Sequence, residues 1–166
     1  AIRNGLASGT TNGTGFGGGI YCELGGTVLV GSGSSVHGNN ARISGGGIYA
    51  EGCEVTSTAG GPLTDTAPLL GGIYQNISQL GGGAGIYATA GATLLLQGNS
   101  TTDLAYVTQN QSTPGGDGGG LYLIGAGTTA TVRNAVIADN SSAHYGGGIY
   151  LAAGAVLDMA VDASQC

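Results

Sequence analysis

The 166-residue sequence predicts an all-β fold, a right-handed parallel β-helix (a solenoid) of about five coils, with three short strands per coil and uncapped ends. Three observations predict it. A Gly-Gly-Gly-apolar-Tyr motif recurs along the chain, an apolar-x-x-Asn motif recurs between its copies, and apolar and polar residues alternate around each tyrosine. The whole chain, residues 1–166, is interpreted as one domain.

The composition excludes several other classes of protein. The chain holds 37 glycines, and three basic residues against nine acidic ones give a net charge of −6. With 41% apolar and 7% charged residues the chain is not typical of disorder, and without a basic surface no nucleic acid partner is predicted. Glycine triplets would cost a helix about 1 kcal/mol per residue, which argues against helical repeats. No apolar run is long enough to span a bilayer, so no membrane insertion is predicted.

The glycine-tyrosine motif defines the coils. Its tyrosines recur at intervals of 28, 38, 35 and 28 residues. Tyr74 interrupts this spacing, but it belongs to the other motif because Asn76 follows it. The predicted complete coils are residues 22–49, 50–87, 88–122 and 123–150, with partial coils at 1–21 and 151–166 and additional loop residues such as 59–68. The tyrosines of this series, here called the tyrosine row, are Tyr21, Tyr49, Tyr87, Tyr122 and Tyr150.

Three strand segments follow one another in each coil. Both chain neighbours of every repeat tyrosine are apolar, so alternation directs them inward and the tyrosine outward. The apolar-x-x-Asn segment supplies the third strand, and the usual crossover preference predicts a right-handed coil. The second strand is predicted at residues 27–30, 93–96, 129–132 and 155–159.

The asparagines of the second motif are predicted to lie at a corner of the coil. Asn adopts the left-handed backbone conformation more readily than most residues. Strands of neighbouring coils stack at about 4.8 Å, which allows the amides to form a hydrogen-bonded ladder. A structural corner is favoured over a ligand-binding role because Asn is common in turns. This Asn ladder consists of Asn39, Asn76, Asn110 and Asn140.

The combination of the two motifs resembles the repeats of the polymorphic outer-membrane proteins and, more broadly, the β-helical passenger domains of bacterial surface adhesins. Those repeats carry Gly-Gly-Ala before an aliphatic residue, and Phe-x-x-Asn. In this sequence a third glycine replaces Ala, and Val or Ile replaces Phe. The resemblance implies an extracellular or cell-surface β-helix, often a part of a longer protein, and it implies no catalytic residues.

Two outward groups are candidates for binding. The tyrosine row is either a structural stack or a contact surface for a glycan or a second copy of the chain. Glu23 and Glu51 each lie two residues after a repeat tyrosine, so they are expected in adjacent coils, with Glu54 near. They are either solvated surface charges, or a site that binds a cation or flanks a sugar. The remaining acids share no repeat position and His37 and His144 are isolated, so no catalytic residue, metal site or cofactor is predicted.

The cysteines leave two alternatives open. Cys22 occupies a core position and can remain a free thiol, or it can pair with Cys53 if a bulge brings the two together. Cys166 is expected to be free or to pair outside the chain.

The ends of the sequence predict self-association. Residues 2–4 (Ile-Arg-Asn) match residues 132–134 (Val-Arg-Asn), so the chain is expected to begin and end within a coil. The strands at an open coil edge have unpaired backbone N–H and C=O groups, which can form hydrogen bonds with a strand of another chain. We therefore expect a non-enzymatic extracellular structural or adhesive β-helix that assembles head-to-tail into a filament or forms a segment of a larger surface adhesin. The alternative is a carbohydrate-active protein, similar to polysaccharide lyases or hydrolases, or a glycan-binding β-helix.

Overall fold

The computed structural model describes residues 1–11, 13–58, 60–61 and 71–160, and all the regular structure in these residues is β. Four parallel sheets, each of five strands, stack into a solenoid of about five coils. The predicted parallel β-helix is therefore confirmed. Among the described residues there is no helix of sufficient length and apolarity to cross a bilayer.

The first sheet, here called the tyrosine sheet, carries the tyrosine row. Its register pairs each repeat tyrosine with the tyrosine of the next coil. The residues before the tyrosines face the core: Ile48, Ile86 and Leu121 are completely buried, whereas Ile20 and Ile149 of the outer coils are only partly buried. The strands are Ile20–Cys22, Ile48–Glu51, Ile86–Thr89, Leu121–Ile124 and Ile149–Ala152.

The second sheet follows a short turn and shows the predicted alternation. Val55, Leu94 and Leu96 point into the core and are fully buried, while Thr93 and Gln97 on the opposite face are exposed. β-Branched and aliphatic residues suit such a half-buried strand. The strands are Thr27–Val30, Glu54–Ser57, Thr93–Gln97, Thr129–Arg133 and Val156–Met159. The four predicted positions are confirmed to within one residue at each end, and Glu54–Ser57 is a fifth strand for which no position was predicted.

The third sheet leads into the Asn ladder. Tyr74 pairs with His37 and Thr108, so it lies outside the tyrosine row, as predicted. Ile2 pairs with Val36. The match of residues 2–4 to residues 132–134 is therefore wrong, because residues 2–5 form the same corner as the segment that ends at Asn39. The strands are Ile2–Arg3, Ser35–His37, Gly72–Tyr74, Leu104–Thr108 and Ala135–Ala138, and Gly60–Gly61 adds a short antiparallel strand.

A fourth, short sheet begins directly after the ladder asparagines. Its strands have only two residues, too few for alternation to be visible in a sequence, and they were not predicted. They complete each coil beside the three longer strands. The strands are Leu6–Ala7, Asn40–Ala41, Ile77–Ser78, Gln111–Ser112 and Ser141–Ser142. Apart from Gly60–Gly61, the predicted loop at residues 59–68 lies outside the described residues.

The left-handed residue at the corner is the one before each ladder asparagine. Gln75, Gln109 and Asp139 have φ of 54°, 56° and 53°, and Gly38 has φ of 62°. The prediction that the ladder asparagines themselves adopt this conformation is wrong. The physical reason lies in the direction of the side chains. The residue at the turn points outward, whereas the asparagine after it points into the coil and forms hydrogen bonds there.

The glycine triplets and the Asn ladder depend on each other. The first glycine of a triplet turns the chain into the tyrosine strand: Gly45 has φ of 68°, and a Cβ there would lie 2.6 Å from the Ile48 carbonyl oxygen. The third glycine leaves space for the ladder, because a Cβ on Gly47 would lie 2.9 Å from Nδ2 of Asn76. This close approach explains why the two motifs recur together.

Candidate functional site: the tyrosine row and its surroundings

The five side chains of the tyrosine row form one continuous stack. The ring centroids of successive members lie 5.2, 5.0, 4.8 and 4.9 Å apart. The first three pairs are close to parallel, with interplanar angles of 3°, 4° and 15°, and the last pair is tilted by 36°. Aromatic rings at such centroid separations make favourable contacts. Because the faces of the inner rings cover one another, those faces cannot stack on a sugar.

Exposure differs strongly along the row. Tyr21 is 44% exposed, whereas Tyr49 is only 8% exposed because the ring of Phe16 lies 4.6 Å from it, tilted by 40°. The prediction of an accessible surface stripe is therefore wrong for Tyr49. Sequence reasoning missed Phe16, although it directly precedes the first glycine of its triplet, as Asp117 and Tyr145 do in later coils.

Burial also changes the acidity of the inner phenols. Desolvation raises the pKa of Tyr49 to about 12, and the negative charge of Glu51 adds to this effect. Burial likewise raises the pKa of Tyr87 to about 12, with a further contribution from its stacked neighbours. The folded protein therefore favours the neutral phenol at both positions.

We expect the row to make folding sensitive to high pH. A phenol has a pKa near 10 in the unfolded chain, whereas the pKa of Tyr49 and of Tyr87 is about 12 in the folded chain. The two neutral phenols therefore make their full contribution to stability below about pH 10, and this contribution is lost as the pH rises toward 12. The free energy of unfolding, measured by urea titration from pH 8 to pH 12, should fall most steeply in this window. Tyr87→Phe should reduce the slope. An equal slope in Tyr87→Phe and the wild type would contradict the expectation.

The two predicted glutamates lie at the exposed end of the row. The Tyr21 hydroxyl donates a hydrogen bond to Oε2 of Glu51 in the next coil, at 3.0 Å. Burial, this hydrogen bond and the charges of Glu51 and Glu23 together raise the pKa of the Tyr21 phenol. Glu51 is thus partnered, and it ties the first coil to the second.

A surface pocket of about 260 Å³ adjoins this end of the row. Phe16 and Tyr21 supply its aromatic surface, and Glu23 and Thr14 supply polar groups. In the described part of the chain, Tyr21 stacks on one aromatic ring only, that of Tyr49. An accessible aromatic ring beside a carboxylate is an arrangement that can bind a sugar. The remaining lining residues are Gly13 and Gly15.

The other end of the row carries a cluster that was not predicted. His144 Nδ1 lies 2.9 Å from Oδ1 of Asp117, and the same carboxylate oxygen accepts the Tyr145 backbone N–H at 2.9 Å. The ring of Tyr145, which is 57% exposed, lies 6.3 Å from that of Tyr150. The sequence suggested that His144 was isolated. Its partner Asp117 lies one coil away, at the position that directly precedes a glycine triplet.

The predicted Asn ladder is present. The Nδ2 group of Asn39 donates to Oδ1 of Asn76 at 3.0 Å, Asn76 donates to Asn110 at 2.9 Å, and Asn110 donates to Asn140 at 3.0 Å. Each Oδ1 also accepts the backbone N–H of the asparagine in the preceding coil. Gly5 takes the ladder position in the first coil, where its N–H donates to Asn39. The ladder atoms are engaged with one another, which supports a structural role.

The open question about the cysteines is resolved for one pair. Cys22 and Cys53 form a disulfide with a Cα–Cα distance of 6.2 Å, and both residues are buried. The bond joins the first coil to the second. Cys166 lies outside the described residues. Within the described ranges there is no group of three or more His, Cys, Asp or Glu side chains that could hold a metal ion.

Comparison of the chain with protein-family models, with curated proteins and with solved structures gave no match.

Proposed function

We propose that this chain is a non-enzymatic, extracellular structural or adhesive β-helix that forms a rigid rod or a segment of a larger surface adhesin. The observation that carries the proposal is the pair of continuous ladders. The stacked tyrosines lie on the outside of the coils and the hydrogen-bonded asparagines lie at an inner corner, and both connect successive coils. In a solenoid, each unit contacts only its neighbours, so contacts between successive coils, such as these ladders, contribute directly to the stability of the rod.

The disulfide supports the extracellular part of the proposal. Stable disulfides are typical of exported proteins, because the cytosol of most organisms keeps thiols reduced. The resemblance of the repeats to those of bacterial surface adhesins points in the same direction. The scarcity of charge also suits a stacked rod, since similar coils would place like charges next to one another.

The proposed contact surface is the exposed end of the tyrosine row. Tyr21 and Phe16 offer aromatic surface, and Glu23 offers a hydrogen-bond acceptor, in a pocket open to solvent. A glycan is the ligand class that suits aromatic rings beside carboxylates. The alternative, a carbohydrate-active enzyme that uses Glu23 and Glu51, is less favoured because Glu51 already accepts the hydrogen bond of Tyr21.

A glycan array distinguishes these functions. We expect the wild-type chain to bind a subset of glycans without changing them, and Tyr21→Ala to abolish that binding. Tyr145→Ala is the matched control, because it removes another exposed tyrosine at the opposite end of the row. Cleavage of a bound glycan that is lost in Glu51→Gln would favour the enzyme. Failure of the wild type to bind any glycan would contradict glycan adhesion.

Self-association forms the second part of the proposal. Inward residues of the outer coils, such as Ile20 and Ile149, are less buried than their counterparts in the middle coils. A further coil, from a longer chain or from a second copy, would bury them. Light scattering over a range of concentrations should show mass increasing with concentration if copies stack head-to-tail. A constant monomer mass at high micromolar concentration would contradict stacking of copies.

A further inference from the structure

Tyr21 and Tyr49 are held in a geometry that suits covalent coupling. Their backbones are directly paired in the tyrosine sheet, and their rings lie 5.2 Å apart with an interplanar angle of 3°. The two rings are thus already neighbours, and tilting of the side chains is the movement that would bring a carbon of one ring to a carbon of the other. Because the paired strands hold the two rings side by side, the rings do not have to meet by diffusion, as two free tyrosines would.

The Tyr21 hydroxyl already has a proton acceptor in place. It donates to the Glu51 carboxylate at 3.0 Å. Loss of one electron makes a phenol strongly acidic, so oxidation is easier when a base can take the proton at the same moment. Within the described part of the tyrosine row, it is the Tyr21 hydroxyl that donates a hydrogen bond to a carboxylate.

Access to an oxidant differs between the two rings. Tyr21 is 44% exposed and can meet an external oxidant, whereas Tyr49 is 8% exposed and is shielded by Phe16. A radical formed at Tyr21 therefore has the Tyr49 ring as its stacked partner within the same molecule. A tyrosine from another chain cannot readily reach Tyr49.

We propose that Tyr21 and Tyr49 form a modification site, at which a heme peroxidase and hydrogen peroxide produce an intramolecular dityrosine cross-link. The peroxidase oxidises Tyr21, and the Tyr21 radical takes an electron from the stacked Tyr49 ring as Tyr49 releases its proton; a second oxidation of Tyr21 then gives two neighbouring radicals. In total each phenol gives up one electron and one proton, and one hydrogen peroxide is reduced to two water molecules. The two phenoxyl radicals then join through a carbon ortho to each oxygen. The hydrogens on these two carbons move to the oxygens, which restores both phenols. The product has lost two hydrogen atoms and joins the same two coils as the Cys22–Cys53 disulfide.

The experiment treats dilute wild-type chain with a heme peroxidase and hydrogen peroxide and follows dityrosine fluorescence. We expect a monomeric product, lighter by two hydrogen atoms, in which peptide mapping locates the cross-link between Tyr21 and Tyr49. Tyr21→Phe keeps the stacked ring and should abolish this product. Tyr145→Phe, which removes a more exposed tyrosine, should leave its yield unchanged. A cross-link that maps to Tyr145, or one that joins two chains, would overturn the proposal.

The role of Glu51 has its own test. Glu51→Gln retains a hydrogen-bond acceptor but removes the base, and a positioned proton acceptor typically contributes about 10²–10⁴-fold to a rate, so we expect the initial rate to fall at least about tenfold. Glu54→Gln, an exposed glutamate of the second sheet, is the matched control. Equal rates in Glu51→Gln and Glu54→Gln would overturn the assignment of Glu51 as the proton acceptor.

Discussion

Asn76→Ala is expected to lower the free energy of unfolding by about 3–5 kcal/mol, a large effect for one substitution. Asn76 is completely buried, and its side chain takes part in four hydrogen bonds. Its Oδ1 accepts the backbone N–H and the Nδ2 group of Asn39, and its Nδ2 donates to the Val36 carbonyl and to Asn110. Alanine leaves the buried N–H of Asn39 without this partner, and an unsatisfied buried donor costs about 1–3 kcal/mol by itself.

Urea unfolding followed by circular dichroism measures this loss. The matched control is Asn99→Ala, because the Asn99 side chain is exposed and donates to Asp103 on the same loop. A surface substitution of this kind should change stability by no more than about 0.5 kcal/mol. Since the ladder connects neighbouring coils, Asn76→Ala should also make unfolding less cooperative. Similar unfolding curves for the two variants would show that the ladder contributes little to stability.

The main architecture could be predicted because the motifs themselves determine the register. The spacing of the tyrosines aligns Tyr49 with Tyr87, and alternation then directs Ile48 and Ile86 into the core. The Asn ladder could be predicted for a similar reason, since each asparagine lies 10 to 12 residues before the next repeat tyrosine, which places all four at one corner. Regular repetition converts a local sequence pattern into long-range contacts.

The features that could not be predicted depend on the shapes of turns. The left-handed position before the Asn ladder is occupied by Gly38, Gln75, Gln109 or Asp139, and these residues share no single property that a sequence pattern would reveal. The short strands after it have two residues and carry no periodic signal. The burial of Tyr49 depends on Phe16, which approaches from a separate loop.

In the candidate site, too, some contacts could be predicted from the sequence and others could not. The proximity of Glu23 and Glu51 to Tyr21 could be predicted, because all three lie at related positions of adjacent coils. The hydrogen bond between Tyr21 and Glu51 could not, since it requires the side chains to reach diagonally between strands. The same applies to the contact between Asp117 and His144, which joins two loops outside the sheets.

Reduction of the Cys22–Cys53 disulfide is expected to lower the free energy of unfolding by about 3–4 kcal/mol. The bond closes a loop with a sequence separation of 31, and for a loop of this size the loss of chain entropy in the unfolded state gives about that value. The bond attaches the first described coil, in which Ile20 and Val28 are only partly buried, to the well-packed second coil. We therefore expect the loss to be concentrated in the first coil, where amide hydrogen exchange should become faster.

The double variant Cys22→Ser/Cys53→Ser provides the control for this expectation. Thermal and urea unfolding with and without a thiol reductant should show that the reductant lowers the stability of the wild type to near that of the double variant. The reductant should leave the double variant itself unchanged, because its first coil already lacks the covalent attachment. If the reductant destabilised both proteins equally, the effect would arise outside this bond. If hydrogen exchange accelerated evenly along the rod, the disulfide would act on the whole solenoid, and the packing between coils would be more cooperative than nearest-neighbour contacts imply.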